Sequence, residues 1–148
     1  SYAGVWDMHA DGNNLNMIDG MKAVGSSFDH AVAAFIRDCE ERGLSDRILL
    51  VCCGEMGRTP KINKRGGRDH WARLAPLLLY GGGMGGGRVI GQSDKHGGEP
   101  NSKPYDPGHL ISTILRTMID PGQLRLIPGI PQEITQLLDH DPIDGLGV

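Results

Sequence analysis

The chain has 148 residues, with Lys+Arg 15 against Asp+Glu 18, a formal net charge of -3 and a pI of about 6.0. Its length suits one domain, and 39% hydrophobic with 22% charged residues excludes a disordered chain. The mild acidity argues against a general nucleic-acid binder, no apolar run approaches the roughly 20 residues of a membrane span, and the stretch Ser1–Asp7 does not read as a secretory signal, since it has neither a charged n-region nor an apolar core.

In chain order, Ala3–Met8 is expected as a short strand ending in the polar turn Asp11-Gly12-Asn13-Asn14. Met21, Val24, Phe28, Ala31, Phe35, Ile36 and Cys39 then recur at helical spacing, with Gly43 as the stop and Gly20 and Gly25 weakening the first turns. Arg47–Cys53 reads as a fully buried strand of a parallel sheet, and Leu74–Tyr80 as a second. The long polar loop Glu55–Trp71 separates them, and Val89-Ile90 is expected as a further short strand. Asp106 caps a second helix that opens at Pro107, carries Leu110, Ile111, Ile114, Leu115, Met118 and Ile119 as its apolar face, and ends at Pro121-Gly122. A short helix is expected at Gln132–Leu138. Cys39, Cys52 and Cys53 are expected as buried thiols, because no C-x-x-C spacing exists. The alternation of strands and helices predicts one α/β domain over residues 1–148, with ligands bound beyond the carboxyl ends of the strands.

Three stretches end or follow those strands. In Trp6-Asp7-Met8-His9, strand alternation would point Asp7 and His9 the same way; the pair suits a divalent ion or is an ordinary polar turn. In Gly54-Glu55-Met56-Gly57-Arg58, Glu55 sits between glycines, and Arg58 offers a fork for phosphate or sulfate oxygens; the alternative is a Glu–Arg surface pair. In Gly67-Arg68-Asp69-His70-Trp71, His70 is a ligand or an acid/base, Asp69 orients it or caps the next segment, and Trp71 packs. The Gly81–Gly87 run lacks the Gly-Lys-Ser/Thr ending of a phosphate loop and reads as a hairpin-like loop. His30 reads as an ordinary helical residue, and His96, His109 and His140 lack evident partners.

Together the three stretches, with Asn13-Asn14 and the continuation Thr59-Pro60-Lys61-Ile62-Asn63, resemble the C-terminal half of the DUF1501 family, a group of sulfatase-like bacterial proteins. The resemblance covers roughly Trp6 to Pro121 and implies a three-layer α/β/α sandwich with a mostly parallel sheet, part of an alkaline phosphatase-like fold. It implies two divalent metals, zinc, manganese or calcium, acting on phosphate or sulfate esters. Asp7, His9, Glu55 and His70 are the metal ligands it implies, and Arg58 and Arg68 the anion-binding residues. Two departures stand out: Glu55-Met56 replaces the usual Asp-His, and Asp7 and His9 are closer in sequence than the usual pair. The chain is therefore expected to be a C-terminal part of a parent protein whose N-terminal half carries the nucleophile and an export signal.

The expected function is a metal-dependent hydrolase-like domain acting on small-molecule phosphate or sulfate esters in the parent, weak or inactive alone. A non-catalytic binding or structural module with a degenerate metal site is the alternative. An independent enzyme using Asp69 and His70 as an acid/base pair is the third. No nucleic-acid or membrane partner is expected, and exposed apolar surface with an unpaired strand edge predicts a homo-oligomer.

Overall fold

The computed structural model describes residues 6–148. The elements in order are the helices α1 (Met17–Gly20) and α2 (Ser26–Glu41), the strands β1 (Leu49–Cys53), β2 (Gly57–Arg58), β3 (His70–Trp71) and β4 (Leu77–Gly81), and the helices α3 (Pro107–Met118), α4 (Pro121–Leu124) and α5 (Gln132–Leu137). The coarse α/β class holds. The expected strand over Ala3–Met8 falls partly outside the described residues, and Trp6–Ala10 runs outside any strand.

Both main helices follow from local chemistry. Asn16 caps α1 by accepting from the Asp19 amide at 2.9 Å. A π-helical stretch, Met21–Gly25, joins α1 to α2. It lies between Gly20 and Gly25, where the low helix propensity of glycine weakens the regular ladder. The cap of α3 is Asp106, whose carboxylate accepts from the His109 amide, with Pro107 at the first helical position. The helix stops at Met118, and Ile119 is already extended. Pro121 does not simply end it: Asp120 caps a new single turn, α4.

The sheet departs from the expected parallel arrangement. β1 and β4 pair antiparallel, with Leu49 opposite Gly81 and Cys53 opposite Leu77. A parallel pair needs a crossover connection, usually a helix. Residues 54–76 contain no helix; they fold instead as a loop closed by the antiparallel β2–β3 pair. The chain therefore returns in the opposite direction. Nor is β1 fully buried: its first four residues are half-buried and Cys53 is exposed. The three cysteines are free thiols, but only Cys39 is buried. Val89-Ile90 forms no strand, and Val89 is 97% exposed.

Buried apolar side chains fall in two places among the described residues. Met8 and Cys39 lie in the N-terminal half; Leu124, Leu138, Ile143 and Leu146 lie in the C-terminal half, where α3 packs against α5. Ser112 and Thr113 of α3 are fully buried, and each is hydrogen-bonded. Phe28 and Phe35 of α2 and Leu77 and Leu78 of β4 remain exposed, so the apolar faces predicted for these elements are only partly covered within this chain.

Tyr80 joins the β1–β4 pair to α2, where its hydroxyl lies 3.5 Å from the Ile36 carbonyl and closer to Glu40. The Tyr80 hydroxyl donates to Glu40 Oε1 at 2.6 Å. The Glu40 carboxylate accepts that proton and pushes the phenol up from 10.0 to about 12. A pKa raised by folding means the contact stabilises fully below pH 10 and is lost as the pH climbs through about 12. In an alkaline titration followed by phenolate absorbance, one step is expected near pH 12, and Tyr80→Phe is expected to remove it.

Candidate metal centre

The centre is assembled by a loop that closes on the Trp6–His9 segment. β2 and β3 pair so that Arg58 stands opposite His70 and Gly57 opposite Trp71. The loop between them is cross-braced by Asn63, whose Oδ1 accepts from the Arg65 and Gly67 amides and whose Nδ2 donates to the His9 carbonyl at 2.8 Å. The Arg68 amide donates to the Met8 carbonyl at 3.0 Å. Gly67 makes this approach possible. A Cβ at that position would lie 2.2 Å from both the carbonyl carbon and the oxygen of His9. Side chains on residues about 60 positions apart in the chain are thereby brought together.

Asp7, His9 and His70 converge. His70 Nε2 is 3.0 Å from Asp7 Oδ1, His9 Nε2 is 3.1 Å from His70 Nε2, and His9 Nε2 is 3.3 Å from Asp7 Oδ1. Arg58 closes the group. Its Nη1 donates to His9 Nε2 at 3.2 Å, and its Nη2 to Asp7 Oδ1 and to the Trp6 carbonyl. The Arg58 guanidinium, and then His70, hold the Asp7 carboxyl far below its ordinary 3.8.

These contacts fix the protons. Arginine can only donate, so His9 Nε2 accepts and His9 carries its proton on Nδ1. That nitrogen faces Asp69 Oδ1 at 3.3 Å. Asp69 therefore pairs with His9, not with His70 as its sequence position suggested. His9, with 16% of its side chain exposed, is the most enclosed member; Asp7 and His70 are about half exposed.

The other predicted residues fare differently. Glu55 is exposed and lies outside the three-residue group. Arg68 points elsewhere: its Nη1 donates to the Thr59 and Pro60 carbonyls at 2.7 and 2.6 Å, bracing the loop. Thr59 accepts from the Asp69 amide and donates to the Lys61 carbonyl. Trp71 packs as expected, and its indole N–H donates to the Gly98 carbonyl at 2.7 Å. A hollow of about 300 Å³ opens beside His9, lined by Asp11, Asn63, Lys64, Arg65 and Asp69. The motifs did not single out Lys64 and Arg65, although two adjacent cations in a polar loop after Asn63 were the available signal. A second cluster, Asp106, His109 and His140, places together two histidines that had no evident partners in the sequence.

Gly67→Ala is expected to lower stability by about 1–3 kcal/mol, the cost of overpacking, and to separate His9 from His70. Gly86→Ala, where an added Cβ meets nothing within 4 Å, is expected to stay within about 0.5 kcal/mol of wild type. Denaturant melts of both variants check the contrast.

Residues 1–146 match the family described as "Protein of unknown function (DUF1501)". No curated protein and no solved structure matches the chain. A match over nearly every residue, including all of the segments that build the centre, is decisive: the chain belongs to the DUF1501 family.

Proposed function

We propose that Asp7, His9 and His70 bind a divalent metal and that this centre serves hydrolysis of phosphate or sulfate esters in the parent protein. The observation carrying the proposal is the donor triangle with edges of 3.0, 3.1 and 3.3 Å. Ligands at about 2.0–2.1 Å around a tetrahedral zinc lie about 3.3 Å apart, so the three atoms stand close to coordination spacing. A His₂Asp set with further positions open fits zinc, and it also accepts manganese; calcium, which prefers oxygen, fits it less well. Asp69 on His9 Nδ1 supplies the outer carboxylate that metal-binding histidines commonly have. A bound dication would polarise an ester oxygen and lower the pKa of a bound water. The chain's own residues orient the donors; Lys64 and Arg65 line the adjoining hollow and would offer positive charge to a tetrahedral anion there, with Arg58 bonded to Asp7 and His9.

Kinship with the sulfatases and alkaline phosphatases belongs to this proposal, as does their three-layer sandwich, in which β1–β4 would be an antiparallel element of a mixed sheet. So do export of the parent and its small-ester substrate. Among the described residues no serine, threonine or cysteine side chain hydrogen-bonds to Asp7, His9 or His70, so the nucleophile is assigned elsewhere in the parent. No helix among the described residues is long and apolar enough to cross a membrane. Self-association is proposed through the exposed β4 leucines, with light scattering as the check.

A second reading rests on Arg58. Its guanidinium already occupies Asp7 and His9, as it would in a purely structural network of a non-catalytic module. The two readings separate by titration. Zinc and manganese calorimetry is expected to show binding to wild type and a loss of tenfold or more in His9→Ala and His70→Ala, with Glu55→Ala unchanged. Asp69→Asn is expected to weaken it about 10–100-fold. Arg58→Met, which removes the competing cation, is expected to tighten metal binding and to weaken binding of inorganic phosphate to the loaded protein. Wild type that binds no metal, or variants that bind as well as wild type, would leave the structural network standing.

A further inference from the structure

The start of α3 and the segment after α5 build a second convergence, independent of the first centre. Asp106, His109 and His140 each offer a ligand atom, and these atoms all lie within 4.8 Å of one another. Asp106 Oδ1 is 2.8 Å from His109 Nδ1, and the His109 and His140 rings stand 5.8 Å apart, tilted by 60°.

His140 does not reach the group by chance. Its imidazole rests on Gly108, where a Cβ would come within 2.6–2.8 Å of three ring atoms. Only glycine at the second position of α3 leaves the ring its place. The backbone around His140 is tied to α3 by three side chains. The fully buried Ser112 donates to the His140 carbonyl at 2.6 Å, Arg116 donates to the Leu138 carbonyl at 3.1 Å, and the fully buried Thr113 accepts from the Ile143 amide at 2.8 Å. Tyr105 packs edge-on against the His109 ring at 5.4 Å, and its hydroxyl donates to Asp144 at 3.1 Å. Among the described residues, the His140 ring nitrogens and Asp106 Oδ2 take part in no hydrogen bond.

We propose that Asp106, His109 and His140 form a second divalent-cation site, for zinc or a similar borderline ion, which staples the C-terminal segment onto α3. Two imidazoles and one carboxylate are the donor set of many three-ligand zinc sites. Because the ligand atoms all lie within 4.8 Å, no pair needs to close by more than about 1.5 Å to reach the roughly 3.3 Å edge of a tetrahedral site, within the reach of side-chain rotation. The ion would link His109 to His140, far apart in the chain, between two segments already held by the α3 hydroxyls. Asp106 keeps its capping bond from the His109 amide through Oδ1 while Oδ2 turns to the ion.

Zinc titration followed by calorimetry and thermal melts tests the site. His140→Ala is expected to remove one equivalent from the wild-type stoichiometry, and His9→Ala with His70→Ala is expected to leave that equivalent in place. Gly108→Ala, which pushes the imidazole aside while favouring the helix, is expected to weaken the same equivalent at least tenfold with unchanged far-ultraviolet circular dichroism. The thermal midpoint of the His9→Ala, His70→Ala protein is expected to rise with zinc concentration. If that protein binds no zinc, if Gly108→Ala and His140→Ala bind as wild type does, or if the midpoint does not move, the staple is wrong. Because the first centre is removed in that background, these outcomes bear on the second site alone.

Discussion

Close backbone contact at Gly67 is the constraint on which the first centre depends. The loop between β2 and β3 could not lie on the Met8–His9 backbone if residue 67 carried a side chain, because a Cβ there would overlap the His9 carbonyl. Asn63 then replaces the hydrogen bonds that a regular strand pair would have supplied, accepting from two loop amides and donating to His9. Polar main-chain groups that would otherwise be left unpaired at the contact are thereby satisfied. His70 meets His9 because β3 begins two residues after the Arg68–Met8 bond, and Arg58 meets both because it stands opposite His70.

Charge follows from that geometry. Asp7 Oδ1 receives Arg58 and His70 at once, which keeps it ionised and makes it the negative pole of the group. Ion pairs this exposed contribute little to folding stability. Their consequence is orientation. Arg58 fixes which nitrogen of His9 bears the proton, and Asp69 receives it on the outer side. The result is an imidazole lone pair and a carboxylate oxygen turned inward against a single cation. On the metal-binding proposal, an ion entering this group would have to displace Arg58 from Asp7 and His9.

What the sequence made legible was mostly local. The helix over Ser26–Glu41, the Asp106-Pro107 start of α3 and the short α5 each have signals within a few residues. So did the participation of Asp7, His9, Arg58 and His70, because polar residues concentrate after apolar runs. Direction and depth were not legible. A continuous apolar run such as Leu49–Cys53 cannot say whether its partner runs parallel, and the antiparallel outcome followed from the absence of a helix between β1 and β4. Burial was overestimated for the same reason: the run is apolar, yet the described chain leaves β4 and the aromatic residues of α2 uncovered. Glu55 was selected for its position beyond β1, but the chain turns after it, and Arg58, three residues on, faces the group instead.

The second cluster shows how a satisfied motif can conceal another role. Asp106 before Pro107 accounts fully for a helix start, so the aspartate invited no further question. The third helical residue, where a capping box normally carries Glu or Gln, is histidine here. Histidine closes the box, since its Nδ1 lies 3.2 Å from the Asp106 amide, but it also brings a second nitrogen that the cap does not use. A glutamate would have capped as well and offered no imidazole. His140, distant in the chain, could not be tied to that position by spacing. It arrives because buried hydroxyls on α3 hold its backbone and because Gly108, one residue before His109, has no side chain to exclude its ring. Capping needs neither Gly108 nor His140, and helix propensity disfavours glycine there. The cap accounts for neither, whereas the cation site proposed above would use both: the ring that Gly108 admits and the His109 nitrogen that the cap leaves free.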